Sequence, residues 1–325
     1  MKRRWPKILG FAALALLLLI AGLLAYVKTA LPNVGPAPEL KIEKTTARIE
    51  RGKYLANHVA VCIDCHSARD WSKYSAPPVA GTFGQGGEIF DQNLGFPGTY
   101  YSRNITPAGI GNWTDGEVFR AITSGVSKDG HALFPIMPHP LYGQLNEEDI
   151  YSIIAYLRTL QPIQKEIPAS VSDFPMNFII NTIPAKPNFQ PIPEKEDQLA
   201  YGRYLITAAA CVECHTPKEN GQNIAGMEFA GGMEFKFPTG EVLRSPNITP
   251  DPKTGIGNWT REAFVNRFKM HATAQPVAKG GFQTLMPWTM YAGMTEEDLS
   301  AIYTYLKSVP VKENKVERFT KASTL

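Results

Sequence analysis

Cysteine is scarce in this chain of 325 residues: there are four, all in two short runs, Cys62-Ile63-Asp64-Cys65-His66 and Cys211-Val212-Glu213-Cys214-His215. No thiol remains for a disulfide, a lipid anchor or a separate zinc site. Surplus positive charge is also lacking. The formal charge of +3 traces to Lys2, Arg3, Arg4 and Lys7, and without them 29 basic residues face 30 acidic ones, which leaves no basic surface for nucleic acid. With 44% hydrophobic and 19% charged residues, the chain is neither disordered nor fibrous, and its length suits two ordinary domains.

Each cysteine run reads C-x-x-C-H, the attachment signature of a c-type haem. On one helical turn, residues i and i+3 lie side by side, so two thiols reach the vinyl groups on one porphyrin edge. The adjoining His66 or His215 then ligates the iron from the same side. A lone C-x-x-C also suits a redox pair or half a zinc site. Two copies, each followed at once by His and each heading its own repeat, favour two covalently bound haems c through Cys62, Cys65, Cys211 and Cys214.

Long hydrophobic runs are absent except for one. Ile8 to Val27 holds 20 residues without a charge, the length that crosses a bilayer as a helix. The positive residues before it orient the N-terminus to the cytoplasm and the body to the periplasmic side of a bacterial inner membrane. A cleaved signal peptide has a shorter apolar region and ends in a small-x-small site, which is not evident here. Residues 8–27 are therefore read as a single-pass anchor, and the proline-rich stretch 31–39 as a tether.

The rest of the chain is a duplication. Arg51-Gly52-Lys53-Tyr54-Leu55 is echoed by Tyr201-Gly202-Arg203-Tyr204-Leu205, Asn104-Ile105-Thr106-Pro107 by Asn247-Ile248-Thr249-Pro250, and Glu147-Glu148-Asp149 by Glu296-Glu297-Asp298. Gly109-Ile110-Gly111-Asn112-Trp113-Thr114 recurs as Gly255-Ile256-Gly257-Asn258-Trp259-Thr260, and Met137-Pro138 with Tyr142 as Met286-Pro287 with Tyr291. The offset is 149 at the cysteines and again at the methionines, dipping to 143 at the Asn pair and 146 at the Trp pair. Loop insertions that cancel explain this.

The chain is expected to be mainly α, with domains at 46–160 and 198–310. Thr114 with Glu117 forms a capping box, and Asn146 and Thr295 cap the final helices. The stripes Ile150, Ile153, Ile154, Leu157 and Leu299, Ile302, Tyr303, Leu306 are core. The segment 161–197 carries seven prolines, and its apolar part, Phe174 to Ile183, is expected to pack across the two domains.

A His-ligated haem that passes electrons without binding substrate needs a second axial group, and Met sulfur supplies one while raising the potential. Met137 and Met286 are equivalent and each precedes Pro; the other methionines have no Met counterpart in the opposite repeat. His139, opposite Trp288, competes with Met137. Residues two apart across Pro138 in an extended loop point in opposite directions, so only one faces the iron. His58, His131, His139 and His271 are read as surface or hydrogen-bonded structural residues. Asn104, Trp113, Asn247 and Trp259 recur in both copies and are candidate haem-propionate contacts.

From about Arg51 to Val309, these motifs resemble the membrane-anchored cytochrome c subunits of bacterial alcohol and gluconate dehydrogenase complexes. Those subunits usually hold three haem domains, where this chain has two. The resemblance implies tandem class I cytochrome c folds after one transmembrane helix, and an electron-transfer role with no catalytic residues. The expected donor is a periplasmic dehydrogenase, and the acceptor is quinone or a terminal oxidase. The reading from another class is a dihaem peroxidase, which needs an open iron position and is disfavoured by a Met for each haem.

Overall fold

The computed structural model describes residues 5–219, 221–237, 240–278 and 281–322. Lys2, Arg3 and Arg4, which set the expected orientation of the anchor, lie outside them. Helix α1 (Trp5–Thr29) carries the apolar stretch Lys7–Thr29, no residue of which is buried and which is long enough to cross a membrane.

The first repeat opens with α2 (Thr46–Tyr54), capped by Thr45, and continues without a break into a π-helical turn, Leu55–Val59. Helix α3 (Cys62–Cys65) follows. Next come β1 (Ile89–Phe90), β2 (Gly98–Tyr101), α4 (Pro107–Ile110), α5 (Asp115–Ser124), α6 (His139–Tyr142) and α7 (Glu147–Leu157). The connecting segment holds β3 (Val171–Ser172) and α8 (Met176–Ile179). The second repeat runs α9 (Gln198–Ala208), α10 (Cys211–His215), β4 (Lys218–Glu219), β5 (Gln222–Asn223), β6 (Glu234–Lys236), β7 (Val242–Arg244), α11 (Arg261–Lys269), α12 (Trp288–Tyr291), α13 (Glu296–Ser308) and β8 (Phe319–Thr320).

The capping box at Thr114 and Glu117 forms, and Asn146 and Thr295 cap α7 and α13. The stripe on α7 is buried throughout; on α13 Leu299, Ile302 and Leu306 are buried and Tyr303 is half-buried. In each repeat the opening helix crosses the closing one, α2 on α7 and α9 on α13. A glycine sits at each crossing. A Cβ on Gly52 would lie 1.8 Å from the Ser152 carbonyl oxygen, and one on Gly202 would lie 2.0 Å from that of Ala301.

The π turn answers a small irregularity in the duplication. Tyr54 and Tyr204 are 150 apart while Cys62 and Cys211 are 149 apart, so the first repeat carries one extra residue before its motif. A π turn accommodates one residue without ending the helix: Ala60 N–H reaches back to the Leu55 carbonyl.

One expectation is corrected. Phe174 to Ile183 does not pack across the domains. It lies against the last turn of α1, where Lys28 Nζ donates to the Asn177 carbonyl at 2.7 Å and stands over the Phe178 ring, with Phe174 81% exposed. The segment is confined to this end because β3 pairs with β2 and so binds it to the first repeat. Strands beyond residues 160 and 310 pair back onto each repeat: β3 completes the sheet β1-β2-β3, and β8 completes β6-β7-β8.

The repeats join about a pseudo-twofold axis in one continuous apolar core. Tyr54 Oη donates to Asp298 Oδ2 at 2.5 Å and accepts from Thr295 N–H. Reciprocally, Tyr204 Oη donates to Asp149 Oδ2 at 2.7 Å and accepts from Asn146 N–H. Each tyrosine thus closes the N-terminus of the other repeat's last helix. Within the repeats, Arg51 grips Asp149 through two bonds of 2.9 and 2.8 Å, while Tyr201 donates to Asp298 at 3.1 Å.

Candidate haem-binding sites

Each C-x-x-C-H run forms a single helical turn, entered through a residue in the left-handed region: Val61 at φ 45° and Ala210 at φ 51°. For a β-branched residue this conformation is strained, and such strain gathers where a site requires it. Here it bends the chain so that the Asp64 and Glu213 N–H groups bond back to the Val61 and Ala210 carbonyls. None of the four cysteines is in a disulfide. Cys62, Cys65 and Cys211 are half-buried and Cys214 is exposed.

The two histidines are fixed alike. His66 Nδ1 donates to the Arg103 carbonyl at 2.6 Å, and His215 Nδ1 donates to the Pro246 carbonyl at 2.9 Å. Holding Nδ1–H in this way fixes the ring and leaves Nε2 as the free lone pair, the usual outer-shell arrangement of a metal-ligating His. Burial, opposed by that hydrogen bond, holds both imidazoles below their ordinary pKa, so the neutral, ligating form prevails. The carbonyl strand comes close because Gly86 and Gly231, both at φ 73°, face it. A Cβ at either would lie 2.6 or 2.4 Å from backbone carbon of Arg103 or Pro246. Their N–H groups also bond the His66 and His215 carbonyls at 2.9 and 2.7 Å.

Met137 and Met286, like Cys62 and Cys211, are partly buried and pack against the core. The extended-loop expectation is corrected here. Pro138 (φ −75°, ψ 56°) and Pro287 (φ −80°, ψ 63°) are the centres of inverse γ-turns, closed by His139 N–H to Met137 O at 2.6 Å and Trp288 N–H to Met286 O at 2.8 Å. Proline imposes the φ that this turn requires. Five residues on, Tyr142 and Tyr291 tie each loop to the carbonyl ahead of the cysteine motif, Ala60 at 3.1 Å and Ala209 at 3.0 Å.

His139 and Trp288 occupy matching places after the turn. The His139 ring, 1% exposed, lies against Gly125 at the C-terminus of α5, and Trp288 lies tilted against Phe268 near that of α11. His58 donates to the Met290 carbonyl at 2.9 Å and His131 pairs with Asp129 at the surface. His271 lies against Tyr74 and Trp288.

Of the four candidate propionate contacts, the two asparagines have partners within the protein. Asn104 Oδ1 accepts from Thr106 N–H and Oγ1, and its Nδ2 donates to the Ile163 carbonyl; Asn247 does the same with Thr249 and Lys312. Both side chains clamp the chain that follows the last helix. Trp113 is half-buried against the core, whereas Trp259 is 38% exposed, so their surroundings are not alike.

Paired thiols on one helical turn, an adjoining His oriented through Nδ1, and a Met held in a rigid turn form the donor set of a c-type cytochrome, and these residues fit a covalently bound haem. Residues 199–310, the second repeat, match the cytochrome c family model. The chain is 29% identical over 280 residues to the cytochrome c subunit of a quinone-type alcohol dehydrogenase from Gluconacetobacter polyoxogenes, covering 82% of this chain and 56% of that protein. It is 31% identical over 325 residues to the cytochrome subunit of fructose dehydrogenase from Gluconobacter japonicus, covering 95% of this chain and 61% of that protein. A dihaem c-type cytochrome of Cereibacter sphaeroides is 28% identical over 263 residues, 78% of this chain and 83% of that protein. The chain thus spans a little over half the length of the two dehydrogenase subunits.

Proposed function

We propose that the chain is a membrane-tethered dihaem cytochrome c that relays single electrons from a periplasmic dehydrogenase to quinone or a terminal oxidase. The observation that carries this reading is the duplicated ligand set. His66 with Met137 and His215 with Met286 stand in matching surroundings, each His held through Nδ1 and each Met in a γ-turn. When bound, the haem supplies a one-electron iron couple; Met as sixth ligand raises its potential and leaves no position for substrate.

The protein's own residues do the remaining work. Cys62, Cys65, Cys211 and Cys214 attach the two groups, and the Arg103 and Pro246 carbonyls hold the ring protons of His66 and His215. The shared core keeps the two sites at a fixed separation. Residues 8–27 serve as the anchor, with the haem domains on the periplasmic side. The exposed Phe174 beside the last turn of α1 suits the headgroup boundary, where large apolar side chains are favoured. A donor from the dehydrogenase class is supported by what the relatives are named for.

The test is a native gel of solubilised membranes stained for haem and for dehydrogenase activity, with redox spectra taken as alcohol, gluconate or fructose is supplied. Comigration, with substrate-driven reduction of the cytochrome, is expected. A cytochrome that migrates alone and stays oxidised with every such substrate contradicts the assignment of partner.

A further inference from the structure

The loop that follows the first cysteine motif does not stay in its own repeat. Residues 69–79 lie across the Met286 loop of the second repeat. Tyr74 N–H bonds to the Gln275 carbonyl at 2.8 Å and Val277 N–H to the Ser72 carbonyl at 2.9 Å. Gln283 binds the loop through its whole amide: Nε2 donates to the Trp71 and Lys73 carbonyls at 3.2 and 2.9 Å, while Oε1 accepts from Ser75 N–H at 2.9 Å.

Ser75 is the centre of the contact. Its Oγ donates to the Met286 carbonyl at 2.6 Å and accepts from Trp288 N–H at 2.9 Å. These are the same carbonyl and N–H that close the γ-turn around Pro287, so one hydroxyl from the first repeat spans the turn that carries Met286. Ser75 is fully buried, and it and Ala76 are left-handed at φ 69° and 41°. Two adjoining non-glycine residues in that region are strained, and they persist only where surrounding contacts over-determine them.

The loop also reaches back to the first site. Arg69, buried, donates to the Ala76 and Ser75 carbonyls at 2.9 and 3.1 Å and lies 3.5 Å from the carboxylate of Asp64, which stands between the cysteines of α3. A continuous chain of contacts therefore joins the first cysteine motif to the second methionine loop. Among the described residues, no such contact from the second repeat falls on the backbone of Met137 or His139. The arrangement is one-sided within an otherwise twofold pair.

We infer that Ser75 is a positioning residue for the sixth ligand of the other haem: the first repeat fixes the Met286 turn, so ligation and potential at the second haem depend on a loop of the first. This rests on the dihaem reading above. The physical cause is local. Without the hydroxyl, the Met286 carbonyl and Trp288 N–H keep only the single bond of the three-residue turn, and the thioether is freer to move off the iron. Because Met raises the potential, looser ligation lowers it.

The experiment uses the full-length haem-loaded protein with Ser75→Ala, and with Gln283→Ala as a second variant that loosens the loop without touching the turn. Each haem's potential is followed by spectroelectrochemical titration, together with the far-red Met-to-ferric-iron band and the binding of imidazole. Both variants are expected to lower the second haem's potential, weaken its far-red band and raise its apparent affinity for imidazole on the order of tenfold, the equivalent of one lost hydrogen bond. The first haem should not move. A wild type with two Met-ligated haems, and variants in which the second haem keeps its potential and imidazole affinity, overturns the role of Ser75 and leaves the relay reading standing. A wild type whose second haem lacks Met ligation overturns both.

Discussion

The reciprocal tyrosines should be unequal, and the inequality follows from what each facing carboxylate retains. Tyr54→Phe keeps the ring but removes the bond to Asp298 and unpairs the Thr295 N–H. Asp298 is 2% exposed and then has only Tyr201, a neutral donor at 3.1 Å. Tyr204→Phe removes the matching bond to Asp149, but Asp149 keeps both bonds from the Arg51 guanidinium. A hydrogen bond to a charged group contributes about 1.5–3 kcal/mol, and a buried acceptor left short of partners takes the upper end. Tyr54→Phe should therefore cost about 3 kcal/mol and Tyr204→Phe about 1.5 kcal/mol. Urea unfolding of the detergent-solubilised, haem-loaded protein, followed by far-ultraviolet circular dichroism, measures both. Equal losses, a reversed order, or two losses below about 0.5 kcal/mol would refute the argument that the repeats are locked by these pairs.

Alkali should weaken the same interface. Burial first, and the shared Asp298 carboxylate second, hold the Tyr54 and Tyr201 hydroxyls well above the ordinary tyrosine value. The unfolded chain releases these protons near pH ~10 while the folded one retains them, so stability falls as pH rises from there; a flat profile by thermal melting from pH 9 to 11 would contradict this. Gly52→Ala and Gly202→Ala place a Cβ against the Ser152 and Ala301 carbonyls, and each should lose about 3 kcal/mol by urea unfolding as the crossing helices are forced apart. Met137→Ala should change the first haem's spectrum and lower its potential, whereas His139→Ala should leave ligation intact; the reverse result would make this site bis-His.

Much of this was legible in the chain. The cysteine motifs, the repeat register, the Thr114 capping box and the α7 and α13 stripes depend on short-range spacing, which a sequence displays directly. Tyr142, Tyr291, Asp149 and Asp298 were visible as repeated residues but had no readable role. Their partners lie in another helix or the other repeat, and a repeat shows that a residue recurs, not what it touches. Asn104 and Asn247 recur too, and their hold on the chain after the last helix was not readable either. Ser75 gave no signal at all: it sits in an aperiodic loop, has no counterpart in the second copy, and meets its partners more than 200 residues away. The Phe174 segment was apolar as read, but composition does not distinguish a domain partner from the end of a membrane helix.

The central claim is most directly tested by intact-mass spectrometry of the purified chain, combined with a redox titration. Two covalently added haems, absent one each from Cys65→Ser and Cys214→Ser protein or held there by a single thioether, and two one-electron waves are the predicted result. A single haem, or bound zinc with unmodified cysteines, would contradict it.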